Sequence, residues 1–156
     1  MHIIVDGYNV LLRGYHRSRV AAAELEQQRE AVIRKHAGYA ASRSIRITLV
    51  FDGQEGVGPS AGSTGGKVKV LFSRPPENAD AMIKRLAQTQ KQPRDVVVVT
   101  SDQPLARFVR SCGCQVLSSE AWRQKLEQGR DEDLQEKHGG VNDLDLDAWM
   151  QLFGEN

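Results

Sequence analysis

Apolar residues in this chain follow two patterns. Some form short unbroken runs, as in buried strands, and others recur every three or four positions, as in amphipathic helices. His2-Ile3-Ile4-Val5 breaks at once into Asp6-Gly7-Tyr8-Asn9-Val10, Ile45 to Phe51 stops at Asp52-Gly53, and Val96 to Val99 stops at Thr100-Ser101-Asp102. Each reads as a strand that delivers a carboxylate to a turn, and Val68 to Phe72 and Gln115 to Leu117 add two shorter strands. Between the runs the helical period takes over. Ser18 is a suitable cap for a helix to about Ser42 that turns Leu25, Val32, Ile33, Ala37 and Ala40 to one side and Gln27, Arg34 and Lys35 to the other. Asn78 suits the start of a helix from about Ala79 to Gln90, Pro104 the first turn of one reaching about Arg110, and Ser118 or Ser119 the cap of one ending near Glu127. Met82, Ile83, Leu105, Val109, Trp122 and Leu126 supply their inward faces. Residues 128–156 hold a polar segment and then a C-terminal amphipathic helix with Leu146, Trp149, Met150 and Phe153 at helical spacing.

The resulting order, βαββαβαβα, predicts an α/β protein built on a doubly wound sheet. In such a sheet the carboxyl ends of parallel strands share one edge, where ligands are held. Adjacent strands lie only about 4.8 Å apart, so the aspartates that end them are expected to converge.

Size and charge add limits. The chain has 156 residues, read as one domain over 1–156, and 21 Lys+Arg against 20 Asp+Glu leave no net-charge argument for a nucleic-acid partner. The first strand follows Met1 directly, without the charged and apolar regions of a secretory signal, and no run approaches a membrane span of roughly 18 residues. Cys112 and Cys114, the only cysteines, are too close-set for a disulfide framework or a metal motif. A cytoplasmic protein with reduced thiols and no membrane partner is expected.

Asp6, Asp52, Asp80 and Asp102 around one crevice would repel one another, and a cation should compensate. An oxygen-only donor set selects a hard ion, Mg²⁺ or Mn²⁺, which suits phosphodiester hydrolysis by an activated water. Each residue also has a plain structural reading. Asp80 suits the positive end of its helix, Asp102 can cap the helix after it, and Asn9 is either a turn residue or an orienting amide. Asp145 and Asp147 fit a helix start better than a metal site, and His16 is a distant candidate for a base.

The stretch from Gln54 to Gly66 is rich in Gly, Ser and Pro and reads as an exposed, mobile loop. Its end, Ala61-Gly62-Ser63-Thr64-Gly65-Gly66-Lys67-Val68, nearly matches a phosphate-binding loop, but a strand follows where a helix must begin. Lys67 and Lys69, with Lys84 and Arg85 on the following helix, are the candidates for RNA contact, against the plain reading of a solvated surface.

Taken as an ordered set, Asp6-Gly7-Tyr8-Asn9-Val10, Phe51-Asp52-Gly53, Asn78-Ala79-Asp80 and Val99-Thr100-Ser101-Asp102 resemble the motifs of the YacP-like NYN domain family, relatives of PIN-domain nucleases. The likeness runs from His2 to about Leu126. It implies a PIN-like, Rossmann-like three-layer sandwich with a parallel sheet of about five strands in the order 3-2-1-4-5. It also implies a metal-dependent endoribonuclease using Mg²⁺ or Mn²⁺, with Asp6, Asp80 and Asp102 as metal ligands and Asp52 and Asn9 lining the same catalytic site. Single-stranded RNA is the implied partner; some relatives act on RNA at the ribosome, and this sequence leaves that association open. The glutamate common in PIN relatives has no clear counterpart, although Glu77 is nearby.

A dehalogenase-type phosphatase would need an acid where Tyr8 stands, and a receiver domain would need an acidic pair in the first loop. The remaining alternative is a non-catalytic RNA-binding or interaction module on the same fold, since fold does not fix function. The intact acidic set argues for catalysis.

Overall fold

The computed structural model describes residues 1–11, 22–53, 62–64 and 66–135. Ser18, His16, most of the glycine-rich loop and the whole C-terminal helix with Asp145 and Asp147 lie outside the described residues.

Strands β1 (His2–Asp6), β2 (Arg46–Phe51), β3 (Gly62–Thr64), β4 (Val68–Phe72), β5 (Val96–Val99) and β6 (Gln115–Leu117) form one sheet in the order β3-β4-β2-β1-β5-β6. All neighbours pair parallel except β3, which runs antiparallel along β4. Counted alone, the five parallel strands run 3-2-1-4-5. The β3 strand corrects the expectation of an irregular loop throughout 54–66. Gly62-Ser63-Thr64 has no apolar signal and is ordered by pairing with β4. A strand, β4, and not a helix, follows it, as the rejection of the phosphate-loop motif required.

Helices α1 (Gly7–Leu11), α2 (Ala22–Ala41) and α5 (Ser119–Gln135) cover one face, and α3 (Ala79–Gln88) and α4 (Gln103–Ser111) the other. Alternation within the strands feeds both layers: Ile3, Val5, Leu49 and Val97 pack beneath α2 and α5, while Ile4, Val50 and Val98 pack beneath α3 and α4. The middle strands are apolar on both sides for this reason.

Helix α5 continues well past the expected end at Glu127. Its polar second half is held by tertiary contacts: the Tyr39 ring lies flush on Gly129, where any β-carbon would overlap it, and Arg43 faces Glu132 at 3.8 Å. Beneath it, His36 and Trp122 are buried together. The His36 Nδ1–H donates to the Val32 carbonyl at 2.7 Å, and Nε2 accepts the Trp122 indole N–H at 2.9 Å. An indole nitrogen only donates, so His36 is neutral with its proton on Nδ1. Tyr39 meets Trp122 edge-on at 5.4 Å between centroids.

Candidate active site

The β1, β2 and β5 carboxyl ends share one edge, with Asp6 opposite Val50 in the register and Val5 opposite Val99. Two glycines let the chain turn there. A β-carbon at Gly7 would run into the Phe51 ring, and one at Gly53 into the Ser73 carbonyl oxygen. This is why Asp6 and Asp52 are each followed by glycine.

Asp6 is partly buried, and its carboxyl is pushed up to about 6. Desolvation is the main cause, opposed by the Asn9 N–H and the Thr100 hydroxyl, and increased by the negative charges of Asp52 and Asp102. The Thr100 hydroxyl donates to Asp6 Oδ2 at 3.4 Å and accepts the Asp102 N–H at 3.1 Å. A single hydroxyl thus ties the two strand-end aspartates together.

The other aspartates are committed to helix starts as well. Asp52 Oδ1 accepts the Ala79 N–H at 2.6 Å and the Ser73 hydroxyl at 3.2 Å, so it anchors the N-terminus of α3 to the end of β2. Asp80 lies in the first turn of α3, where its carboxylate pairs with Lys84 at 3.1 Å. Asp102 is the N-cap of α4, its Oδ1 accepting the Leu105 N–H at 2.9 Å. Both the capping reading and the convergence reading of Asp102 hold in geometry. Glu77 pairs with Arg85 at 2.8 Å.

Asn9 is held from three sides. Its Oδ1 accepts the Ser101 N–H at 3.2 Å and the Ser119 hydroxyl, and its backbone carbonyl accepts an Arg123 N–H at 3.3 Å. Ser119 is fully buried, and its own N–H donates to Ser101 Oγ at 3.1 Å. Thr100, Ser101, Ser119 and Arg123 are site residues that sequence reasoning did not select; the Thr-Ser pair before Asp102 was the one available signal.

Among the described residues, no three His, Cys, Asp or Glu side chains are grouped to hold a metal ion. The donor chemistry nevertheless fits a hard divalent cation. Asp6 is crowded by like charge, Asp102 uses only Oδ1 in its cap, and Mg²⁺ is commonly held by one or two carboxylates with waters and substrate phosphates completing its shell.

The basic candidates separate. Lys67 is spent elsewhere: its ammonium donates to the carbonyls of Ala40, Ala41 and Arg43 at 3.2, 3.3 and 2.6 Å, capping the C-terminus of α2. With three N–H groups and three acceptors it has none left for a phosphate, so the RNA-contact expectation for Lys67 is replaced by a structural role. Lys67→Met is expected to cost on the order of 1 kcal/mol of stability, seen as a lower urea midpoint, with RNA affinity unchanged. Lys69 pairs with Thr48 in the register and acts on His2, which places it toward the amino ends of the strands, away from the acidic edge. Lys84 and Arg85 lie near that edge within ion pairs to Asp80 and Glu77, and Lys84 also sits over the Phe108 ring at 5.4 Å.

No helix among the described residues is long and apolar enough to cross a membrane. Cys112 and Cys114 are free thiols, the latter buried and pushed up to about 11, mainly by desolvation.

Three comparisons bear on this edge. The family model described as the YacP-like NYN domain matches residues 3–144. YacP of Bacillus subtilis (strain 168) is 32% identical over 101 residues, which is 64% of this chain and 59% of that protein's length. The crystal structure of Rae1 (YacP) from Bacillus subtilis superposes with a TM-score of 0.69 at 27% identity, covering 86% of this chain and 78% of that one. A singly substituted form of the same protein gives a TM-score of 0.67 at 26% identity, covering 84% and 77%.

Proposed function

The chain belongs to the YacP-like NYN domain family, a nuclease family related to the PIN-like enzymes, and from that premise we propose that it is a metal-dependent endoribonuclease of the cytoplasm acting on single-stranded RNA. RNA is the substrate the family implies, and divalent cations are what NYN nucleases generally use. The observation that carries the reading is Asp6: a carboxylate at the end of the central strand, raised by burial and by Asp52 and Asp102, gains most from a neighbouring cation.

Asp6 and Asp102 would hold Mg²⁺ or Mn²⁺, with Asp80 contributing when its carboxylate leaves Lys84. When bound, such an ion supplies charge neutralisation and polarisation of a phosphoryl oxygen. The protein's own work is positioning. Thr100 fixes the Asp6 carboxylate against Asp102, Asp52 and Ser73 hold the start of α3 at the edge, and Asn9 orients the phosphate. Lys84 and Arg85 flank the edge and would exchange their carboxylate partners for phosphates of the strand. Association with the ribosome would present the RNA as an unpaired strand, and it belongs to the same proposal.

The test is cleavage of a labelled single-stranded oligoribonucleotide by the purified full chain. Cleavage is expected with Mn²⁺ or Mg²⁺, should stop on chelation and should return when the ion is restored. Binding without cleavage under every ion would replace the enzyme by a passive RNA-binding module.

A further inference from the structure

We propose that Ser119 is a positioning residue for Asn9, and that Asn9 meets the substrate as a donor, through its amide nitrogen, to a phosphate oxygen. The proposal rests on the RNA-hydrolase reading above. Its starting point is the chemistry of a backbone N–H, which can donate a hydrogen bond but not accept one. The Asn9 amide atom 3.2 Å from the Ser101 N–H must therefore be oxygen. The Ser119 hydroxyl donates to that same oxygen. An amide oxygen has two lone pairs, and both are taken.

Two consequences follow. Oδ1 is the only atom of the Asn9 side chain able to ligate a hard cation, and it is not available. The other arm of the amide, Nδ2, carries two N–H groups, and no described residue accepts from either. What Asn9 can offer at this edge is donation, and the acceptor that RNA brings is a phosphate oxygen, whose negative charge strengthens such a bond. In a crevice of aspartates, a neutral donor approaches a phosphate without the repulsion that a further carboxylate would add.

Ser119 fixes this orientation from across the sheet. It is fully buried, so its hydroxyl must find a partner within the protein. Because its own N–H is bonded to Ser101 Oγ at 3.1 Å, the start of α5 is locked to the loop after β5 while its hydroxyl reaches α1, directly after β1. Arg123, one turn further along α5, holds the Asn9 carbonyl at 3.3 Å. The first and last strands of the parallel sheet thus set one amide between them.

The experiment compares single-turnover cleavage of a labelled ten-nucleotide oligouridylate, over a Mn²⁺ titration, by wild type, Asp6→Asn, Asn9→Asp, Asn9→Ala and Ser119→Ala. Asn9→Asp keeps the acceptor for Ser101 and Ser119 and loses both donors. It should fall as far as Asn9→Ala, about 100-fold in rate, the scale of removing one donor from an oxyanion site. Ser119→Ala should lose about 10-fold in the maximal single-turnover rate, with the enzyme concentration for half-maximal rate little changed, as a misaimed group does, and the Mn²⁺ midpoint should stay that of wild type in all three. An active Asn9→Asp, or one that needs less Mn²⁺, would make Asn9 a cation ligand and overturn the proposal; so would Ser119→Ala at the wild-type rate. If Ser119→Ala fails to fold, the near-isosteric Asn9→Asp decides alone. Cleavage by Asp6→Asn equal to wild type would instead remove the hydrolase reading itself, whereas an inactive Asp6→Asn beside an active Asn9→Asp would remove only this inference.

Discussion

Asp6→Asn is expected to lower metal-dependent RNA cleavage by about 1,000-fold or more while making the metal-free protein more stable. The two effects have one cause. Burial and the neighbouring Asp52 and Asp102 raise the Asp6 carboxyl from 3.8 to about 6, so the folded chain holds a proton there over a pH range in which the unfolded chain has released it. Stability from this group is therefore greatest at low pH, falls as pH rises from 3.8 to about 6, and is constant above. At neutral pH the ionised carboxylate costs the fold about 3 kcal/mol. Asparagine is uncharged and nearly the same shape, so removing the charge should recover on the order of 1 to 3 kcal/mol after the altered bonds to Thr100 and Asn9 are counted. Urea midpoints at pH 7.5 in the presence of a chelator measure the gain, and the cleavage assay measures the loss. Added Mn²⁺ should raise the midpoint of wild type more than that of the variant. A variant that is both less stable and fully active would show that Asp6 is a structural carboxylate and nothing more.

Much of this edge is legible in the sequence. Val96 to Val99 is apolar on both faces and had to be a central strand, and the breaks at Asp6-Gly7 and Asp52-Gly53 marked where strands end. Those glycines proved to be packing requirements against Phe51 and the Ser73 carbonyl, a reason that sequence alone does not contain. The hydroxyls were hidden for a different reason. Thr100, Ser101 and Ser119 carry no periodicity, and serine serves equally as cap, turn or surface residue, so only the fold reveals that Ser119 meets an amide 110 positions earlier. Lys67 misled because a lysine after a glycine-rich loop suggests phosphate, and nothing local shows that the end of α2 lies within its reach. The length of α5 was concealed likewise, since its second half is held by Tyr39 of α2 and by Arg43 just beyond that helix, and not by its own pattern.

His36 carries the second large effect, and it opposes that of Asp6. Its imidazole is fully buried, accepts the Trp122 indole N–H and has no acceptor for a second proton except by losing that bond. Burial lowers it from 6.5 to about 4, so the unfolded chain binds a proton over a range in which the folded chain does not. Stability from this group is complete above 6.5 and is lost as pH falls from 6.5 toward 4, about 3 kcal/mol in all. Asp6 gains stability over much of the same interval, so in metal-free wild type the two slopes nearly cancel. Asp6→Asn should uncover the His36 slope, with stability dropping by about 3 kcal/mol between pH 6.5 and 4 relative to wild type. His36→Gln, which can still accept from the indole, should do the reverse and gain on wild type as pH falls through that interval. Urea midpoints at half-unit pH steps test both, read by Trp122 fluorescence after Trp149→Phe has removed the other indole. Parallel pH profiles for wild type and His36→Gln would mean that the imidazole titrates alike folded and unfolded, which a neutral histidine bonded to a buried indole does not allow.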